Sequence, residues 1–132
     1  WDNLNFEKAI EHEEERCREA LPHQHRVYSY ISRGFYSEQI RRMWNFFPRK
    51  QTLILQQQEL SQNANSTLRK VHQFLGVEHQ PSSSAVNANP GNYPEPMDIA
   101  TRAKLQAIFD PEISQLEQML GWDLNHWRGH AT

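Results

Sequence analysis

Cysteine is nearly absent from this chain of 132 residues: Cys17 stands alone, which excludes an intrachain disulfide. Glycine is scarce too. Its five positions, Gly34, Gly76, Gly91, Gly121 and Gly129, are too scattered to form a phosphate-cradling loop. No apolar run approaches the roughly 18 residues that a membrane span requires. The opening WDNLNFEKAI lacks the basic-then-apolar layout of a signal peptide, so the expectation is a cytoplasmic protein with no membrane partner. There is no excess of positive charge either. A net charge of −2 and a sequence pI near 6.4 lack the basic footprint of a nucleic-acid module, and no nucleic-acid partner is expected. Neither an internal repeat nor a heptad run is present. The chain begins with Trp1 and not Met, as a processed product or a piece of a longer protein would.

What is present reads as one soluble domain, 1–132, with 37% hydrophobic and 23% charged residues. Charge is segregated along it: −4 over residues 1–25, +5 over 26–79 and −3 over 80–132, so the middle is the part suited to an anion. Asn5 is placed to cap a helix whose stripe is Phe6, Ala9, Ile10, Cys17, Ala20 and Leu21, with Pro22 ending it. Tyr36, Ile40, Met43, Trp44 and Phe47 recur at helical spacing before Phe47-Pro48. Thr52-Leu53-Ile54-Leu55 suits a short buried strand. Asn63 or Asn65 then caps a helix carrying Leu68, Val71 and Leu75 on one face and closed by Gly76. A long Pro, Ser and Asn-rich loop follows over 79–96. Asp98 opens a helix through Phe109, and Asp110-Pro111-Glu112 opens another ending at Leu120-Gly121. The aromatic tail Trp122–Trp127 is expected to pack. The sum is an α/β pattern, helix-rich with one or two short strands.

Chemistry is harder to find. His23 and His25 are two apart in an expected loop, and no other Cys or His pair has ligand spacing, so the seven histidines read as surface residues and no metal is expected. Cys17 lies on the apolar stripe of an acidic helix and reads as a core residue. Consecutive helical residues point about 100° apart, so Glu13-Glu14-Glu15 reads as a solvated face and not a catalytic pair.

The order of residues says more. Ser32-Arg33-Gly34-Phe35-Tyr36, the helix to Phe47-Pro48, Leu53-Ile54-Leu55, Glu59-Leu60 and the run from Thr67 to Phe74-Leu75-Gly76 together resemble the second half of a sulfotransferase. The family is the one that uses 3′-phosphoadenosine 5′-phosphosulfate, and the bacterial and heparan-sulfate-type branches look nearest. Leu4-Asn5-Phe6-Glu7-Lys8-Ala9, Tyr93-Pro94-Glu95-Pro96-Met97-Asp98 and Leu120-Gly121-Trp122-Asp123-Leu124 agree, so the resemblance covers nearly the whole chain. It implies the C-terminal part of a P-loop-like fold that moves a sulfuryl group to a hydroxyl or amine and leaves adenosine 3′,5′-bisphosphate. A lysine-bearing phosphosulfate loop and a general base would come from an N-terminal half, expected as a partner alongside a small-molecule or carbohydrate acceptor. No catalytic residue is assigned within these 132.

Three positions carry over as donor-binding candidates. Tyr36 matches a family tyrosine that lies against the donor adenine, and its plain reading as a core tyrosine stays open. Gly91 and Asn92 fall where heparan-sulfate-type enzymes place Lys-Gly-Arg over the donor phosphates, but Pro90 and Asn92 replace both basic residues. Backbone N–H groups and the Asn92 amide can still donate there, without charge-assisted bonds. Gln58 stands where an acid is frequent, and Ala64 where a helix-leading proline is. A rival expectation, from another class, is a non-catalytic remnant or interaction module of the same fold. A second enzyme expectation is another P-loop-type transferase.

Overall fold

The computed structural model describes residues 2–23, 27–81 and 96–129. Two compact units divide the chain, residues 1–43 with 95–132, and residues 44–94.

In the first unit Asn5 caps α1 (Phe6–Glu11), its side chain accepting from the Lys8 N–H at 3.1 Å. The expected single helix to Leu21 is broken at His12, where φ −91° and ψ 1° leave the helical region, and α2 (Glu13–Glu19) starts afresh. The break lets Glu13 turn inward. It is 6% exposed, so the solvated-face reading fails for this member of the acidic run. Its carboxylate accepts the N–H groups of Ile31 and Ser32 at 2.7 and 2.9 Å, at the start of a 3₁₀ turn (Ser32–Gly34). N–H groups at a helical N-terminus are what a buried carboxylate needs in place of water.

Next comes α3 (Tyr36–Phe46), in which Ser37 and Ile40 are buried. The two helices expected over 98–120 are one, α6 (Ile99–Leu120 in chain order), with Pro111 inside it. A proline costs a helix one N–H bond, and here the helix continues through it because Glu112, Ile113 and Leu116 bury one face directly beyond. Asp98 caps α6 as expected, accepting from Ala100 and Thr101 N–H at 3.0 Å each, and Gly121 ends it at φ 68°. Ala9, Ile10, Ile40, Ile113, Leu116 and Leu124 form the buried apolar core. In the tail it is Leu124, not a tryptophan, that is fully covered.

The tail is fastened by charge. Arg128, in a 3₁₀ turn (Asn125–Arg128), donates to Glu117 at 2.9 and 3.1 Å and to the Ser114 hydroxyl at 3.0 Å. Glu117 also accepts the Leu124 N–H at 2.9 Å. Arg128 first, and that N–H second, hold the Glu117 carboxyl below its ordinary range. At the other end Asp2 accepts from the Tyr30 hydroxyl at 2.7 Å and from Arg16 at 2.8 Å, and those two bonds lower its pKa to about 2.

The second unit holds α4 (Gln57–Gln62) and α5 (Ala64–Leu75), packed on each other and tied by Lys70 to Glu59 at 2.7 Å. Gly76 closes α5 at φ 69°, as expected. Trp44 donates its ring N–H to Thr52 at 2.9 Å, beneath the Arg49 guanidinium. The expected strand is not formed: residues 52–56 lie outside any regular element, and the described residues contain no strand. Extended backbone becomes a strand only when a neighbour supplies the ladder bonds. Thr67 is the one buried residue among those described in this unit, while Phe46, Phe47, Leu53, Leu60, Phe74, Leu75 and Val77 are all exposed.

Candidate functional site

The first unit builds a recess around the Gly34-Phe35-Tyr36 corner. Glu13 holds the 3₁₀ turn that enters it, and Glu112 of α6 holds the helix that leaves it. Glu112 is 5% exposed and accepts from both the N–H and the hydroxyl of Ser37, at 2.6 and 2.7 Å. Two buried carboxylates from distant segments therefore fix the corner at both ends. Their charge is spent on backbone and hydroxyl donors, which makes them anchors and not acids or bases for a substrate.

Gly34 is required by space. A Cβ there would fall 2.5 Å from the Phe109 ring, closer than van der Waals contact allows. Phe109 packs in turn on Phe35, centroids 5.6 Å apart. Beyond this corner the Tyr36 ring is about half exposed, with the Trp127 ring edge-on to it at 6.4 Å. The Arg128 fastening and a bond from Gln106 to the Arg128 carbonyl, at 2.9 Å, hold the turn that carries Trp127.

The result is a recess of about 200 Å³ whose walls include Gly34, Tyr36, Phe109, Ile113, Leu116 and Trp127. Two aromatic rings over an aliphatic floor suit the face of a planar heterocycle. No cation lines it, so a phosphate finds no charge-assisted partner inside. A broader groove of about 580 Å³ lies elsewhere in the unit, with Ile10, Cys17, Ile31, Phe35 and Ile108 in its walls and Arg18 and Lys104 among its charged lining. Among the described residues no three His, Cys, Asp or Glu side chains converge as a metal site. No described helix is long and apolar enough to cross a membrane.

Of the three donor-binding candidates the structure places Tyr36 at this recess, while Gly91 and Asn92 lie outside the described residues. Sequence reasoning missed Phe109, Glu112 and Trp127. The Asp110-Pro111-Glu112 signal was visible but read as a local helix start, and nothing in it points to Ser37, 75 residues away.

Comparison with known proteins gives these elements a context. A solved structure described as a sulfotransferase from Alicyclobacillus acidocaldarius superposes with a TM-score of 0.79 at 28% sequence identity. The match covers 96% of this chain and 47% of that one, so the chain spans about half the length of the protein it resembles. Curated proteins yield no match. The family described as the sulfotransferase domain matches residues 4–116, most of the chain and the whole span from α1 to Leu116 of α6, and the chain belongs to that family.

Proposed function

We propose that this chain is the C-terminal part of a P-loop-like α/β sulfotransferase domain and that its Tyr36 recess receives the adenine of 3′-phosphoadenosine 5′-phosphosulfate. The observation that carries the reading is the family match over 4–116, joined to a structural likeness that covers nearly all of this chain and half of the other. In the reaction the donor's phosphate–sulfuryl S–O bond breaks as a new bond forms to an acceptor oxygen or nitrogen. The acceptor's proton passes to a base, and adenosine 3′,5′-bisphosphate leaves. The acceptor is a small molecule or a carbohydrate.

The fit of the donor is uneven. The recess offers Tyr36 and Trp127 to an adenine, but no cation to its phosphates, and the carboxylate in its wall, Glu112, is engaged by Ser37. Gly91 and Asn92 are proposed for the phosphates from the family resemblance alone. What these residues do is bind and orient; the sulfuryl transfer itself needs the lysine-bearing loop and the base of an N-terminal half. The exposed apolar side chains of the second unit and the backbone of 53–55, which forms no strand ladder with any described residue, support such a half as partner, since both are surfaces that a neighbouring sheet would cover. The same exposed residues favour, as a second reading, a non-catalytic module that docks through them.

Photolabelling with 8-azidoadenosine 3′,5′-bisphosphate tests the site. The reading expects label on tryptic peptide 34–41 or on Trp127, competed away by unmodified adenosine 3′,5′-bisphosphate. Labelling that is spread over the chain and insensitive to competitor contradicts it.

A further inference from the structure

His72 lies in the last turn of α5, and Gly76 at φ 69° reverses the chain just beyond it, with Val77 donating its N–H to the His72 carbonyl at 3.0 Å. The reversal brings His79 back onto that turn. The two Nδ1 atoms stand 3.1 Å apart, ring centroids are 5.3 Å apart and the ring planes are inclined at 48°. Both residues are half-buried. A separation of seven in sequence is not a ligand spacing within a helix; the left-handed cap makes it one.

Two imidazole nitrogens this close share either one proton or one cation. Imidazole nitrogen binds zinc-like ions at about 2.0–2.1 Å. At that bond length, nitrogens 3.1 Å apart subtend roughly 100° at a common ion, between the square-planar and tetrahedral angles.

We propose that His72 and His79 form a two-histidine site for a divalent late transition cation, with water in the remaining coordination positions. Imidazole donors suit copper, nickel and zinc, and the general affinity order for such ions makes Cu²⁺ the tightest of the three. Charge and protons balance simply. The ring that donates in the hydrogen-bonded pair transfers its proton from Nδ1 to Nε2 through water, so both rings stay neutral and both present Nδ1 to the ion. The consequence for the fold is a clip between the last turn of α5 and the segment after Gly76, which stabilises the folded form wherever the ion binds it alone.

The test uses the full chain with Cu²⁺ alone, followed by calorimetry and by electron paramagnetic resonance, then repeated with Zn²⁺. Expected are one saturable equivalent, a copper spectrum with coupling to two nitrogens, and a rise in the melting temperature. His72→Ala and His79→Ala should each weaken binding by at least about tenfold, the lower end of what even a supporting group contributes to a metal site. His12→Ala and His126→Ala should leave it unchanged. Position 79 lies outside every helix, so His79→Ala keeps the fold and its circular dichroism serves as the check. Binding that survives His79→Ala, a single-nitrogen spectrum, or no saturable binding by the folded chain overturns the proposal.

Discussion

Replacing Glu112 tests the framework of the recess most severely. Its carboxylate serves the Ser37 N–H at 2.6 Å and the Ser37 hydroxyl at 2.7 Å, with Ser37 2% exposed and Glu112 5%. Hydrogen bonds to a charged group contribute about 1.5–3 kcal/mol each, and a buried donor left without a partner costs about 1–3 kcal/mol. Glu112→Ala orphans two donors at once, which sums to about 2–5 kcal/mol once water entering the vacated space is allowed for. That is a large share of the roughly 5–15 kcal/mol that holds a domain together. Glu112→Gln keeps the volume and one acceptor, so about 1–2 kcal/mol is expected. Urea denaturation followed by circular dichroism measures both, and the Gln variant remains informative if the Ala variant fails to fold. A cycle with Ser37→Ala isolates the hydroxyl bond: Glu112→Ala should cost less in that background by about 1.5–3 kcal/mol. If both Glu112 variants cost less than about 0.5 kcal/mol, the level of an ordinary surface change, the anchoring argument is wrong.

Gly34→Ala drives a methyl into the Phe109 ring and should cost about 1–3 kcal/mol, with a smaller cost in a Phe109→Leu background; equal costs in the two backgrounds would show that the ring is not the obstacle. Gly76→Ala meets no atom within 4 Å, so only its φ of +69° opposes the change, and a loss of about 1 kcal/mol is expected in thermal melts. Asp2 has a pKa lowered from 3.8 to about 2 in the folded chain, so its contribution is complete above pH 4 and is lost as pH falls through 2. The melting-temperature gap between the unmodified chain and Asp2→Asn should therefore be constant above pH 4 and close towards pH 2; a gap that persists unchanged below pH 2 would contradict the assignment.

Local signals were the legible part of this fold. Asn5 and Asp98 cap their helices through their own side chains, and Gly76 and Gly121 end theirs in the left-handed region, because a cap is settled within a few residues. The order of motifs around Gly34 and Tyr36 was enough to suggest the family. What could not be read depends on partners far along the chain. Glu13 belongs to an acidic run that looks solvated until Ile31 and Ser32 arrive 18 and 19 residues later. Pro111 looks like a helix boundary until the burial of Glu112 and Ile113 makes continuation the better choice. Leu53-Ile54-Leu55 has the composition of a strand, but a ladder needs a neighbour, and the described residues supply none. At the recess, Tyr36 was reachable through the resemblance, whereas Trp127 is set by the Arg128–Glu117 fastening, which no spacing rule announces.

The central claim is that this chain carries a working part of a donor-nucleotide site. Calorimetric titration of the 132-residue chain with adenosine 3′,5′-bisphosphate, repeated on Tyr36→Ala, addresses it directly. Stacking on one aromatic ring contributes roughly 1–3 kcal/mol per base, so the account predicts saturable binding that Tyr36→Ala weakens about 5- to 150-fold. A folded chain that shows no binding, or binding that Tyr36→Ala leaves unchanged, would contradict it.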